Sequence, residues 1–320
     1  MKEKLRDYCR LLRVDNLLFI IILMWIMTYW VARSVLIKQG FIDVIPWWLW
    51  LLMTGGTALI AAGGYVINDY FDVKIDRINR PERLIVTRTI SKAGAMRLFY
   101  ILTGIGFVLG EISAWQVRSS SVAIIYALVP GLLWFYSASY KRMLIVGNVI
   151  VAFVTGLVPL LVALTQSAWL KQIYGADALR FVPIGQQLYQ WLGGFALFAF
   201  LCTWAREIIK DMQDQNGDRE LECHTMPIVW GTLATKIITT LLLLMIAGLV
   251  AWLHWGHIMP FATDWHSPAT RYIVFGLYVP LACEIALLWS AKIPTDDRSE
   301  QGLMKFIMFL GTMFAFIINQ

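Results

Sequence analysis

Asn68, Asp72 and Asp76 stand at i, i+4 and i+8 in the stretch NDYFDVKIDRINRPER (68–83), and Asp211, Asp214 and Asp218 at i, i+3 and i+7 in REIIKDMQDQNGDRE (206–220). Either spacing sets three oxygen-bearing side chains along one face of an α-helix. Like charges so placed repel each other and disfavour their own helix unless cations sit between them. Mg2+ suits the position. It is a hard ion that takes carboxylate oxygens and completes an octahedron with water and substrate phosphates. Two such faces across a cavity can hold a diphosphate through shared metal ions, while the interspersed Arg and Lys grip its oxygens. One motif alone would pass for a solvated loop; the recurrence of the triad points to a divided metal-diphosphate site. In the second motif, Gly217 marks where the helix is expected to end. Asp69 lies about 100° around a helix from Asn68, so it either faces away from the metals or buttresses them.

The elements that must position these triads are long and apolar. The chain has 320 residues, of which 59% are hydrophobic and 15% charged, against roughly 25% charged in soluble domains. Stretches near the ~20 residues that span a bilayer recur from end to end without a long soluble insertion. The expectation is a single all-α domain over 1–320: a polytopic membrane protein with about nine helices around a central cavity that opens at the cytoplasmic side. The helices are expected at 17–37, 47–67, 98–116, 122–136, 145–166, 188–205, 237–255, 271–291 and 303–319.

Lys and Arg crowd the N-terminal segment and the joints after even-numbered helices, including Lys74, Arg77, Arg80, Arg83, Arg88, Lys92 and Arg97 after the second. By the positive-inside rule those ends face the cytoplasm, which places the N-terminus inside and both motifs on one side of the cell membrane. The net charge of +6 is therefore largely topological, with some attraction for anionic lipid; basic residues at helix ends, without a recognisable binding module, exclude nucleic acid as a partner. The first apolar run is too long, and too poor in small residues at its end, for a cleaved signal. The four cysteines form no C-x-x-C pair, which suggests neither disulfides nor zinc. His254, His257 and His266 read as interfacial residues, the abundant Trp as a belt at the membrane surface, and the methionines as packing.

With these motifs in view, the sequence resembles the UbiA family of intramembrane prenyltransferases. NDYFDVKID matches that family's N-D-x-x-D-x-x-x-D motif and DMQDQNGD its D-x-x-D-x-x-x-D form, and nine helices is the family's number. RVDN at 13–16 is similar to the family's early Arg-x-x-Asn, and YSASYKR with the following GN at 147–148 to the stretch after its fourth helix, so the likeness covers essentially the whole chain. Within the family, GYVINDYFDVKIDRINRPER, TISKAGA and REIIKDMQDQNGDRE with TMPI look most like the branch that transfers a geranylgeranyl group to the free hydroxyl of geranylgeranylglyceryl phosphate.

The resemblance implies Mg2+-dependent transfer of a prenyl group from a prenyl diphosphate to a lipid-soluble acceptor. It assigns the metal ions to Asn68, Asp72, Asp76, Asp211, Asp214 and Asp218, with Asp72, Asp76, Asp211 and Asp214 as catalytic residues, phosphate contacts to Arg77, Arg83, Lys141 and Lys210, and the acceptor side to Arg13, Asn16, Tyr136 and Tyr140. For Arg13 and Asn16 an ordinary helix cap with a topogenic charge is the competing reading. Two departures stand out. The family's Tyr-x-x-x-Lys spacing is longer by one from Tyr136 to Lys141, and Tyr140 directly precedes the lysine. LIVTRTIS at 84–91 lacks the proline and glycine of many relatives and brings Arg88 toward the expected cavity mouth.

Such chemistry places negative charge on the departing diphosphate and leaves an allylic carbocation, so it needs preorganised positive charge and shelter from water. Apolar walls would hold the prenyl tail and aromatic faces the cation. Two alternatives remain at this point. One is prenylation of an aromatic ring in quinone synthesis. The other, of a different class, is a cation-coupled secondary transporter, which the parallel placement of both motifs at one membrane edge disfavours, because transporter sites lie near the midplane between inverted repeats.

Overall fold

The structure is a computed structural model that describes residues 2–79, 81, 84–179, 182–256, 259, 261–291 and 299–317. Among the described residues, eight helices are long and apolar enough to cross a membrane. After a short α1 (Lys2–Leu11) come α2 (Val14–Lys38) and α3 (Trp47–Phe71), with α4 (Val73–Asn79) directly behind α3. Then follow α5 (Lys92–Gln116), α6 (Ser120–Ala138), α7 (Val146–Tyr174) and α8 (Ile184–Gln213). Two short helices, α9 (Gln215–Glu220) and α10 (Met226–Val229), lead to α11 (Gly231–Trp255) and α12 (Pro268–Ser290). The last, α13 (Ser299–Met313), closes in a 3-10 turn, Phe314–Ile317.

Among the described residues each of the nine expected spans is helical, and the ninth is a shorter apolar helix, Gly302–Ile317; 318 and 319 lie outside the described residues. The main difference lies at helix ends: α3 and α8 run past 67 and 205 into their acidic motifs. The hydrogen-bond ladder does not stop where lipid solubility does. A polar side chain ends the apolar stretch without ending the helix. α2 and α12 each contain a π-helical turn, Met27–Ala32 and Ile273–Tyr278.

The chain divides into two compact units, Met1–Lys141 with Leu157–Gly194, and Arg142–Gly156 with Phe195–Gln320. In the first, α3 and α5 touch backbone to backbone: a Cβ on Gly56 would stand 2.9 Å from the carbonyl oxygen of Gly106 and from the amide nitrogen of Gly110. Gly106 and Gly110 form the small-xxx-small pattern by which helices pack in lipid, where burial of apolar surface supplies little drive. Gly110 also makes room for the Tyr126 ring of α6, and the Tyr126 hydroxyl donates to the carbonyl oxygen of Met53 at 2.8 Å. The loop between α2 and α3 is fastened by Gln166 of α7. Its Oε1 accepts from the Ile45 amide and its Nε2 donates to the Asp43 carbonyl oxygen, both at 3.0 Å.

The motif end of this unit rests on an apolar cluster that includes Leu11 of α1, Ile67 of α3, Val73 of α4, Phe99 of α5, and Val86 and Ile90 of the connecting turn. Val73 turns inward one position after Asp72, so the burial of its side chain fixes which way α4 faces. Thr87 in the turn has φ 81°, left-handed backbone that favours glycine. The segment that lacks its relatives' glycine keeps the turn by holding a threonine there, which costs on the order of 1 kcal/mol. Arg88 beside it is exposed.

In the second unit α8 buries Ala205, Ile208 and Met212 against Leu243 of α11, Leu281 and Leu288 of α12 and Met304 of α13. That burial leaves Arg206, Lys210 and Asp211 on other faces of the helix. His254 is a packing residue, fully buried with Nε2 2.8 Å from Thr270 Oγ1.

Candidate active site

Both acidic motifs straddle a break in a helix, and in each the break falls on the middle aspartate. Asp72 is the residue between α3 and α4, with φ −84° and ψ 0°; Asp214 is the residue between α8 and α9, with φ −89° and ψ 7°. The four-residue hydrogen bonds nevertheless continue through both breaks. Asp72 N donates to Asn68 O (2.9 Å) and Asp76 N to Asp72 O (2.8 Å), while Asp214 N donates to Lys210 O (3.0 Å) and Asp218 N to Asp214 O (3.2 Å). Each triad therefore keeps its helical register, as the spacing implies. The end expected at Gly217 is corrected: α9 runs through that glycine to Glu220. The break falls at Asp214, where ψ leaves the helical range, whereas Gly217 is buried inside α9 and needs no left-handed backbone.

In the first unit, Asn68 Nδ2 donates to Asp72 Oδ2 at 2.8 Å and Lys141 Nζ pairs with Asp72 Oδ1. Both partners of the ion pair are mostly buried, with side chains 13% and 15% exposed, so the attraction is little screened. Tyr140 and Lys141 share the short turn Tyr140–Arg142 after α6. Tyr136 lies in the last turn of α6 and is half-buried. Asp76 is half-buried and Arg77 exposed on α4. Arg83 lies outside the described residues.

Arg13 and Asn16 stand at the start of α2, where the Asn16 amide donates to the Arg13 carbonyl oxygen at 2.8 Å. The guanidinium of Arg13 donates to Asp69 Oδ1 at 3.1 Å and lies 4.8 Å over the centre of the Tyr65 ring. Arg13 is thus both a cap position and a partner of the first motif, and Asp69 turns to Arg13.

In the second unit, Asn148 Nδ2 donates to Asp211 Oδ2 at 2.9 Å. Asp218 is buried and accepts from Thr225 Oγ1 at 3.2 Å. Lys210 reaches Glu207 Oε2 at 3.5 Å, and Arg206 donates to Glu207 Oε1 at 2.5 Å. Asn148, Thr225 and Glu207 are site neighbours that lie in stretches quoted for the resemblance but were given no role there. Glu207 lies one turn before Asp211, a usable signal. For Asn148 and Thr225 only the fold brings the partners together.

The donor set is carboxylate and amide oxygen, the type a hard divalent cation takes. Among the described residues no three His, Cys, Asp or Glu side chains enclose a metal by themselves. A hard divalent cation takes one or two carboxylates and otherwise water and phosphate oxygens, and it is on the chemistry of these donors that the residues present fit Mg2+.

The UbiA prenyltransferase family matches residues 24–313. Digeranylgeranylglyceryl phosphate synthase of Ignicoccus hospitalis is 33% identical over 228 residues, 71% of this chain and 65% of that protein; the chain thus matches just under two thirds of that relative's length. A solved structure of digeranylgeranylglyceryl phosphate synthase superposes with TM-score 0.61 at 26% identity, over 99% of this chain and 98% of the other. A UbiA homologue from Archaeoglobus fulgidus bound to GPP and Mg2+ superposes with TM-score 0.55 at 17% identity, over 98% and 99%.

Proposed function

Because the chain belongs to the UbiA prenyltransferase family, an all-α family of multi-pass membrane proteins, we propose that it moves a geranylgeranyl group from geranylgeranyl diphosphate to the free hydroxyl of geranylgeranylglyceryl phosphate. The observation that carries this is the Asn68–Asp72–Lys141 cluster, in which a motif carboxylate, its amide neighbour and a buried ammonium meet. The likeness to digeranylgeranylglyceryl phosphate synthases supports the acceptor. The chain is read as a single domain over 1–320 in the cell membrane, with the N-terminus in the cytoplasm, an orientation supported by the placement of Lys and Arg.

Asn68, Asp72 and Asp76 with Asp211, Asp214 and Asp218 would hold Mg2+, in keeping with the ion in the Archaeoglobus homologue. When bound, Mg2+ supplies fixed positive charge against the diphosphate as its bond to the allylic carbon breaks. Lys141, already beside Asp72, and Lys210, beside Glu207, donate to diphosphate oxygens, as do Arg77 and Arg83. Asn148 orients Asp211, and Thr225 orients Asp218, each through a hydrogen bond to the carboxylate. The acceptor's hydroxyl oxygen forms the new bond to the allylic carbon, the old carbon–oxygen bond breaks, and the hydroxyl proton passes to a nearby carboxylate. Arg13, Asn16, Tyr136 and Tyr140 serve the acceptor side.

The test offers labelled geranylgeranyl diphosphate to purified membranes with glycerophosphate and aromatic acceptors, with and without Mg2+. A lipid-ether product that needs Mg2+ is expected. An aromatic product would overturn the acceptor, and solute uptake without diphosphate release would overturn the enzyme.

A further inference from the structure

Arg13 is held from three directions. Its backbone is left-handed, with φ 50° and ψ 55°, a conformation disfavoured for side chains other than Asn, Asp and glycine. Its guanidinium lies over Tyr65 and donates to Asp69. Tyr65 and Asp69 are one turn apart on α3, so a single helix face supplies both the aromatic plate and the counter-ion. The Asp69 side chain is 20% exposed and that of Arg13 39%; the counter-ion is the more sheltered of the two and the cation the more accessible. Meanwhile Asn68, the next residue, bonds to Asp72. Neighbours in sequence thus point to different partners, as a helical turn of about 100° per residue requires.

We propose that Asp69 is a positioning residue, which aims the guanidinium of Arg13 at the phosphate monoester of the acceptor. This rests on the function given above, because geranylgeranylglyceryl phosphate carries that monoester. A guanidinium grips phosphate through two parallel N–H···O bonds when its plane is fixed. The Tyr65 ring, its centre 4.8 Å from the guanidinium carbon, gives the group a face to rest on, and the bond to Asp69 fixes its direction. Lysine at position 13 could supply the charge but not the fork. Asp69 is thereby separated from the metal ligands on either side of it and assigned to acceptor recognition.

The experiment uses the full-length protein in nanodiscs. Asp69→Asn and Asp69→Ala are expected to raise KM for geranylgeranylglyceryl phosphate about tenfold, the order that loss of one charge-assisted hydrogen bond gives. KM for geranylgeranyl diphosphate and the Mg2+ concentration for half-maximal rate should stay at the wild-type values. Asp69→Glu should recover part of the loss, and adding Asp69→Ala to Arg13→Ala should cost nothing further. Calorimetric binding of geranylgeranylglyceryl phosphate without donor or Mg2+ should weaken by the same factor. A shift in Mg2+ requirement would place Asp69 in the metal site and overturn the proposal. A parallel loss of both KM values and of melting temperature would make its role structural, which also overturns it. A wild-type protein that uses this acceptor while Asp69→Asn behaves identically defeats this inference alone; one that neither binds nor uses it defeats the proposed function as well.

Discussion

Lys141 pairs with Asp72 although 69 positions separate them. The lysine belongs to the turn after α6 and the aspartate to the break after α3, and both are mostly buried. A charge pair so sheltered joins the middle of the first motif to a cation from a distant segment, and it explains why the two belong to one chemical unit. Removing the lysine leaves a mostly buried Asp72 carboxylate with its Asn68 bond but without this ammonium partner; for fully buried pairs such a loss commonly costs about 3–5 kcal/mol, an upper bound here.

Lys141→Gln should therefore lower kcat/KM for geranylgeranyl diphosphate by roughly tenfold to a hundredfold, the size expected from one hydrogen bond to a charged group. Steady-state kinetics with the donor varied at saturating acceptor measures it. An unchanged value removes Lys141 from the donor side.

The middle aspartates are expected to be the most sensitive positions. Asp72→Ala and Asp214→Ala should each reduce diphosphate release by at least about a hundredfold, as loss of a preorganised charge at the reacting centre does. Release assays on purified membranes decide it, and intact release in both variants would refute the site assignment.

Asn148 gives a subtler test. Asn148→Ala removes the donor to Asp211 while leaving the carboxylate in place, so the Mg2+ concentration for half-maximal rate should change by about tenfold, in the range seen when an orienting partner of a metal ligand is lost. A magnesium titration of the purified variant reads this directly. An effect on donor KM without any effect on Mg2+ dependence would put Asn148 elsewhere in the reaction.

The helix contact in the first unit is testable through stability. Gly110→Leu would drive a side chain into the Tyr126 ring, since even a Cβ there would lie 2.2 Å from ring carbon Cδ1. The variant should be destabilised by about 1–3 kcal/mol, the usual cost of overpacking, and melt lower in detergent. At Gly104, inside α5, no atom lies within 4 Å of an added Cβ, so Gly104→Ala should melt no lower than the wild type, and higher if the gain in helix propensity is expressed.

Gln166 anchors the loop before α3 through two backbone bonds. Gln166→Leu should expose the Ile45 amide to hydrogen exchange and cost about 1–3 kcal/mol per buried group left unsatisfied. Exchange measured by mass spectrometry on the peptide that spans 41–46 would show it; unchanged protection there would mean that Gln166 does not hold the loop.

The sequence by itself determined what depends on short range. Stretches of bilayer length are legible because each must bury its own backbone hydrogen bonds in lipid, and all nine expected spans are helices, with α13 the shorter one. The triads are legible because helical periodicity is local, so Asn68, Asp72 and Asp76 share a register in any helix that contains them. Even the small error at Gly217 is local: the helix breaks three residues earlier, at Asp214, and the helix propensities of Asp and Gly differ by only a few tenths of a kcal/mol. The tertiary structure alone decided the partners. Lys141 meets Asp72, Asn148 meets Asp211 and Arg13 meets Asp69 because the end of α6, α7 and the start of α2 deliver them there. Nothing in the spacing of either motif encodes those meetings. They follow from helix packing, in which contacts such as Gly56 against Gly106 set how closely two backbones approach, and a charged side chain then pairs with whichever opposite charge that packing brings within reach.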